Sequence, residues 1–351
     1  MKPLSELTRL GKIRRFRKLA REALILYGLD HATLDFLLFA GNMLFRVDSK
    51  AKDSQGEEID PFVPGQYLLR IHDSREQKTD AIKLEMDWLI AIRSGTGLSV
   101  PEPVPALDGK FIVKVEVPGI PGERVCTLLR WLKGRRITKH VRPHHFLAQG
   151  RVMAQLHNQA EQWRAPNDLV KRRFDYNGLF CDDAGAGIPN RAAWKLLSAH
   201  QREAYGVVAN KTKLLMNDWG KTPSVYGLIH GDCGIDANVL FWKGEAQIID
   251  FDGSGFGYYV YDVAIALEHC WDDPAYADYW EFFLKGYSTF RSVSDSQLAA
   301  IDLFRAAFYV YMGLWTVAMD ETFPDSQSRF ARHKKWLGYG MPFIDRYLNT
   351  C

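Results

Sequence analysis

The chain is 351 residues long, 47% hydrophobic and near charge balance at +3, so it can hold two domains with separate cores, and no overall field points to nucleic acid. Its longest apolar runs, 23–29 and 34–40, fall well short of the ~20 residues of a membrane-spanning helix, and a basic run with Ser5 and Glu6 stands where a secretion signal would be apolar. Five cysteines, odd in number and never in a CxxC pair, argue against a disulfide scaffold or zinc ribbon and fit a reducing cytoplasm.

Residues 9–21 carry seven cations (Arg9, Lys12, Arg14, Arg15, Arg17, Lys18 and Arg21) and no acid. With Leu7, Leu10, Ile13 and Leu24 they predict a basic amphipathic helix within 5–27, whose polar face either meets an anionic surface or is simply solvated. From 34 to 131 the pattern is mainly strands. Runs at 34–40 and 43–47 flank a Gly41-Asn42 turn, and a third strand at 67–72 follows Pro64-Gly65. Residues 48–62 between them are polar and acid-rich, as in a loop. A helix is predicted over 78–93, where Ile82, Glu85, Met86, Leu89 and Ile92 recur at helical spacing. An extended linker at 99–105 leads to strands at 111–117 and 125–131. After Gly134 the pattern turns helical, with segments at 144–162, 191–219, 278–287, 296–317 and 334–348. A five-stranded lobe with one helix followed by a helical lobe is an α+β arrangement, divided as 1–131 and 132–351.

The helical half is interrupted by residues 228–252, LIHGDCGIDANVLFWKGEAQIIDFD. Two hydrophobic runs on either side of a Lys-Gly-Glu turn predict a hairpin that brings Asp232, Asn238 and Asp250 to one end. A lone carboxylate beside an Asn–carboxylate pair suits metal-assisted phosphoryl transfer. Asp232 can accept the proton of an attacking hydroxyl, while Asn238 and Asp250 offer the hard oxygen donors that hold Mg²⁺ against nucleotide phosphates.

His230-Gly231-Asp232 with a following Asn, then Ile249-Asp250-Phe251-Asp252, resembles the aminoglycoside phosphotransferase and choline kinase family, over roughly residues 30–345. The resemblance implies a two-lobed protein-kinase-like fold, with a five-stranded antiparallel sheet plus helix before a mainly helical lobe. It implies transfer of the γ-phosphoryl group of ATP, with Mg²⁺, to a hydroxyl of a small molecule such as an amino alcohol, an amino sugar or a homoserine-like acid. By the same resemblance Asp232 orients and deprotonates that hydroxyl, and Asn238 and Asp250 are the metal ligands. Arg70 stands where the family carries the phosphate-binding cation, with Glu85 as its partner. Asn42 lies in the phosphate-covering loop, and the hinge near Arg130 and Leu132 offers backbone groups to adenine. Asp262 braces the catalytic loop, in which His230 is a structural hydrogen-bonder.

One departure concerns spacing. The family places the Asn five residues after the catalytic Asp, and here the step is six, so that either Gly234 absorbs a bulge or Asp236 approaches the metal. Asp252 is a second-metal contact or a turn acceptor. In 268–281, Glu268, Asp272, Asp273, Asp278 and Glu281 alternate with Trp271, Tyr276, Tyr279 and Trp280 and no Lys or Arg. They form either a pocket for a cationic acceptor or an amphipathic helix with a solvated acidic face. A protein Ser/Thr kinase is disfavoured by the short stretch between Asp252 and Asp262, and a pseudokinase by retention of all three central residues. Gly220-Lys221-Thr222 lacks the first glycine of a Walker loop, and residues 253–257 lack the spacing of a dinucleotide fingerprint. His140, His144 and His145 have no matching acid or Cys set for zinc.

Overall fold

The computed structural model describes residues 2–49, 61–73, 79–166, 172–182, 189–322 and 327–350, so most of the loop expected at 48–62, and position 78, lie outside the described residues. The chain divides into two compact units, Met1–Gly134 and Arg135–Cys351.

In the first unit α1 (Arg9–Leu26) begins at Thr8, whose hydroxyl accepts the Gly11 N–H at 3.1 Å as an N-cap. Its inner stripe of Phe16, Leu19, Ala20, Ala23 and Leu24 is buried in the unit's core. Of its cations, Arg15 donates to the Gly119 carbonyl at 2.7 Å and Arg17 to that of Leu34. The strands β1 (Thr33–Ala40), β2 (Asn42–Asp48), β3 (Phe62–Ile71), β4 (Ile112–Val115) and β5 (Arg124–Leu132) form an antiparallel sheet in the order β1-β2-β3-β5-β4. The β1–β2 turn is tighter than its sequence suggests, because Gly41 turns alone at φ 81° and Asn42 already pairs with Ala40.

Between β3 and β4 runs α2 (Thr79–Thr96). Alternation along β3 positions the unit's charged pair: Leu69 and Ile71 enter the core shared with α1, so Arg70 points to the opposite face and meets Glu85 of α2. The first unit ends three residues beyond residue 131, since β5 continues to Leu132 and the Lys133 N–H bonds the Pro61 carbonyl at 2.6 Å.

The second unit opens with α3 (Pro143–Gln162), which has proline in its first turn, where the missing N–H costs nothing. Then come β6 (Arg173–Phe174), α4 (Tyr176–Phe180), α5 (Asn190–Ala193) and α6 (Ala199–Trp219). The single helix expected over 191–219 is therefore broken. Ser198 restarts it with a capping box, its hydroxyl accepting the Gln201 N–H at 3.2 Å while the Gln201 side chain accepts the Ser198 N–H at 3.1 Å. Next are β7 (Tyr226–Ile229), β8 (Val239–Trp242), β9 (Glu245–Ile248), β10 (Gly255–Tyr258), α7 (Tyr259–Ile265) and α8 (Tyr276–Tyr287). The helix expected over 296–317 is likewise divided, into α9 (Asp295–Ala299), capped by Ser294 and Gln297, and α10 (Ile301–Thr322); α11 (Gln327–Thr350) follows.

The hairpin also differs from expectation. β8 and β9 form it around Lys243-Gly244, both at positive φ, whereas the first hydrophobic run is β7, which pairs with β10 in a separate sheet of order β6-β10-β7. α3 and α8 pack backbone to backbone. A Cβ on Gly150 would run into the Phe283 carbonyl oxygen, and one on Gly286 into that of Leu147. Among the described residues no helix is long and apolar enough to cross a membrane.

Candidate active site

In the second unit the site is built on the loop that leaves β7. His230 and Gly231 give their backbone N–H groups to the two oxygens of the Asp262 carboxylate, each at 2.8 Å, and Asp262 is fully buried in α7. Gly231 turns the chain at φ 78°, and any Cβ there would meet the Phe174 ring. The buried His230 ring bonds the Ile249 carbonyl through Nε2 at 3.0 Å and accepts the Asp232 N–H at Nδ1 at 3.3 Å. An accepting Nδ1 and a carbonyl at Nε2 fix the neutral Nε2–H tautomer. Burial holds this imidazole below its ordinary range, so it ties β7 to the end of β9 and does not titrate as a base.

Asn238 fastens the loop from the other side. Its NH₂ group donates to the Asp232 carbonyl at 2.8 Å and to Asp232 Oδ2 at 3.0 Å. Two acceptors on the amide nitrogen orient the side chain and turn its Oδ1, an acceptor, away from Asp232. The six-residue step is absorbed as one helical turn, in which the Ala237 and Asn238 N–H groups both bond the Gly234 carbonyl, at 3.2 and 3.1 Å. Gly234 is thus not a flexible bulge at positive φ. It keeps space for Glu268, whose Oε1 would lie 3.3 Å from a Cβ at that position. Asp236 faces His269 Nδ1 at 3.6 Å.

Asp250 closes the group. The Ile249 N–H bonds the Asn238 carbonyl at 2.9 Å, extending the β8–β9 ladder, and Asp250 then adopts a left-handed backbone with φ 67° and ψ 59°. That conformation is uncommon outside glycine and is best tolerated by Asn and Asp. Phe251 follows, buried, with its ring edge-on to His230 at 4.8 Å.

The electrostatics centre on Asp232. Surrounding protein pushes its carboxyl up to about 7 by desolvation, with further repulsion from Glu268 and Asp250. The residue keeps exposed surface, and water reaching it tempers that rise without reversing it. Beside it, burial lowers His269, yet the Glu268 carboxylate on its Nδ1 and nearby Asp236 outweigh this and raise it to about 9, so it is an imidazolium. Glu268 is 3% exposed, and among the described residues its Oε2 has no hydrogen-bond partner; nor does the buried Nε1 of Trp271. The remaining acids of 268–281 (Asp272, Asp273, Asp278 and Glu281) are solvated. Tyr279 stacks on Phe146 at 4.6 Å, and the Tyr276 hydroxyl accepts from Arg305 at 2.6 Å. The second half of this segment, from Tyr276, is therefore the start of the amphipathic α8, with Asp272 and Asp273 in the turns before it, and Glu268 stands apart from both.

Within the first unit, Arg70 Nη1 donates to both oxygens of Glu85, at 2.8 and 3.1 Å, with the two side chains 3% and 2% exposed. Asn42 Oδ1 accepts the Asp73 N–H at 3.1 Å. Arg130 rests on the Phe62 ring at 4.3 Å and bonds the Glu102 carboxylate at 3.1 Å. Its own N–H is taken by the Glu102 carbonyl at 2.9 Å, so that amide is not free for a base; Leu132 is buried opposite Phe62.

Sequence reasoning missed Gln149 and His269. The Gln149 amide donates to the Cys233 carbonyl at 2.8 Å and to that of Ala266 at 3.4 Å, anchoring the loop to α3. A glutamine within the apolar stripe of that helix was the available signal.

Residues 62–295 match the family model described as the phosphotransferase enzyme family. Amicoumacin kinase of Bacillus subtilis (strain 168) is 24% identical over 308 residues, covering 84% of this chain and 82% of that protein. Among solved structures, the microcompartment-associated aminopropanol kinase superposes with a TM-score of 0.70 at 23% identity, covering 95% of this chain and 98% of that one. An amicoumacin kinase in complex with AMP-PNP, Ca²⁺ and Ami also gives 0.70, at 20% identity, covering 94% and 93%. At these identities the structural likeness speaks to the shared kinase-like fold.

Proposed function

Because the chain belongs to the phosphotransferase enzyme family, we propose that it moves the γ-phosphoryl group of ATP, with Mg²⁺, to a hydroxyl of an amine-bearing small molecule. The observation that carries this reading is the double hold of Asn238 on Asp232. The carboxylate is fixed as an acceptor, beside the hard oxygen donors that the Asn238 and Asp250 side chains carry. Among the described residues no group of three or more His, Cys, Asp or Glu is gathered for a metal. An Asn–Asp pair that leaves further positions to phosphate and water oxygens suits Mg²⁺. When bound, Mg²⁺ neutralises phosphate charge, as transfer requires.

The chain's own residues then act in order. Asp232 accepts a hydrogen bond from the acceptor hydroxyl and takes its proton as the new P–O bond forms; its raised pKa keeps it a competent base near neutrality. Asp262 and His230 hold the loop so that this carboxylate does not drift. Arg70, kept extended by Glu85, is assigned the nucleotide phosphates, Asn42 the covering turn, and the β5 segment from Arg130 to Leu132 the base. Glu268, with an unsatisfied buried oxygen beside Asp232, is the natural partner for an acceptor ammonium. The relative named for aminopropanol agrees with an amine-bearing acceptor. A protein substrate fits poorly, because β10 and the first turn of α7 fill the stretch from Asp252 to Asp262 and leave no free segment for a peptide groove.

A panel of amino alcohols, amino sugars and hydroxy-amino acids, assayed for ADP release with Mg²⁺-ATP, tests the proposal. Turnover of an amine-bearing alcohol that disappears in Asp232→Asn is the expected result. Nucleotide binding without turnover of any panel member would count against it.

A further inference from the structure

The segment joining β5 to α3 is used by nothing above, and its charge is one-sided. From residue 124 to residue 160 the chain has no Asp or Glu, while Arg135, Arg136, Lys139 and Arg142 fall within eight positions. These four surround a cavity of about 520 Å³. That lies within the range of small-molecule pockets, ~300–1,000 Å³. All four are exposed, and none forms an ion pair with a carboxylate among the described residues. Elsewhere in the second unit some cations do meet a carboxylate: Arg291 with Glu161, Lys221 with Asp175, Arg173 with Asp182.

The histidines here continue the pattern without making a metal site. The His144 and His145 rings lie 4.0 Å apart, tilted by 50°, and His145 Nδ1 is occupied by the Arg142 N–H at 3.0 Å. Burial, then His144, Arg142 and Arg135, hold the His145 imidazole below its usual range, so the cationic field acts on the cavity wall. His140 is held at φ 57°, a left-handed backbone in a residue that is not glycine, which shapes the concavity. Two residues of the lining, Arg135 and His145, pack on the β8–β9 hairpin. Arg135 and Phe241 of β8 exchange backbone hydrogen bonds at 3.2 and 2.9 Å, and the His145 ring sits 4.8 Å from that of Phe241. Asn238 immediately precedes β8.

We propose that the Arg135–Arg142 cavity is a binding site for a small anion carrying two or more phosphate groups, placed against the β8–β9 hairpin. Four permanent cations around one concavity exceed what a single phosphate can engage, and the guanidinium forks of three arginines suit phosphate oxygens. Nucleic acid fits less well, because the cations encircle one cavity and do not form a track along which a backbone could run.

Calorimetry of the full chain with inorganic tripolyphosphate, in Mg²⁺-free buffer after saturation with a non-hydrolysable ATP analogue, tests this. The wild type is expected to bind, and Arg136→Glu/Lys139→Glu to bind about ten-fold or more weakly. The neutral Arg136→Gln/Lys139→Gln pair is expected to fall between them, with the thermal midpoint of each variant confirming that it folds. A second arm with phosphatidylcholine vesicles, with and without cardiolipin, whose headgroup carries two phosphates, identifies the source. Charge-dependent vesicle binding assigns the phosphates to a lipid headgroup, and its absence beside tripolyphosphate binding assigns them to a free metabolite. Equal binding by wild type and both folded variants overturns the proposal, as does tighter binding of a short single-stranded RNA lost in the same variants.

Discussion

Asp232→Asn preserves the shape of the side chain and removes its ability to take a proton, so kcat is expected to fall by about 10²–10⁴-fold. Nucleotide affinity, read by titration with a non-hydrolysable analogue, should change little. A parallel loss of both would show that the residue holds the nucleotide and does not act on the acceptor. Asp262→Ala acts differently. It strips acceptors from the N–H groups of His230 and Gly231 and from His157 Nε2, in a fully buried place. Two or more orphaned donors there are expected to lower stability by about 2–4 kcal/mol, checked by denaturant unfolding. At position 250 the backbone adds a condition. Asn tolerates the left-handed conformation and Ala does not, so Asp250→Asn isolates the lost charge whereas Asp250→Ala also reports strain. The residue types and their spacing were legible in the sequence because the chemistry demands them. The turn over residues 234–238 was not, because it is made by backbone bonds to the Gly234 carbonyl, which leave no mark in the residue types.

Between elements, α3 and α8 approach each other backbone to backbone. Gly150 and Gly286 face backbone carbonyls across the contact, so an added methyl has no flexible neighbour to displace. Gly150→Ala or Gly286→Ala is expected to destabilise the chain by roughly 3 kcal/mol, despite the better helix propensity of alanine, with a lowered unfolding midpoint as the measurement. An unchanged midpoint would mean that the helices separate at no cost. Element type was readable wherever periodicity was strong, as in the alternation of Met43, Phe45 and Val47 or the apolar stripe of α3. The break before α6 was overlooked although its signal was present, since Ser198 stands three residues before Gln201, whereas Ser294 and Gln297 mark the start of α9 and not the break that follows it. The partition of strands 7–10 between a hairpin and a separate sheet was not readable, since β7–β10 pairing is long-range and leaves no local mark.

At the scale of the molecule, buried histidines make stability depend on pH. Burial lowers His157, outweighing its hydrogen bond to Asp262, and burial lowers His230 as well. At these two sites the folded chain binds fewer protons than the unfolded chain as the ordinary histidine value of 6.5 is approached from above, whereas the raised His269 and Asp232 bind more and act in the opposite sense. The share of stability carried by His157 and His230 is expected to be full above that pH and to fall as pH drops through it, read from melting temperatures between about pH 7 and 5. His157→Gln, which cannot titrate, should flatten part of that slope; an unaltered slope would remove His157 from the account. The α+β arrangement was legible because a strand-rich stretch gives way to helices near Gly134. Which loop cations lie around a common hollow was not, because curvature is a property of the folded chain.

The fixed tautomer of His230 also makes it a label that the protein supplies for itself. Its two ring nitrogens are chemically distinct and stay so across the range in which exposed histidines average theirs. Nitrogen-15 resonances from this ring would thus stand apart in a spectrum of the whole chain. They would register, at a distance of one peptide bond from Gly231, whether the loop carrying Asp232 is at rest or in use.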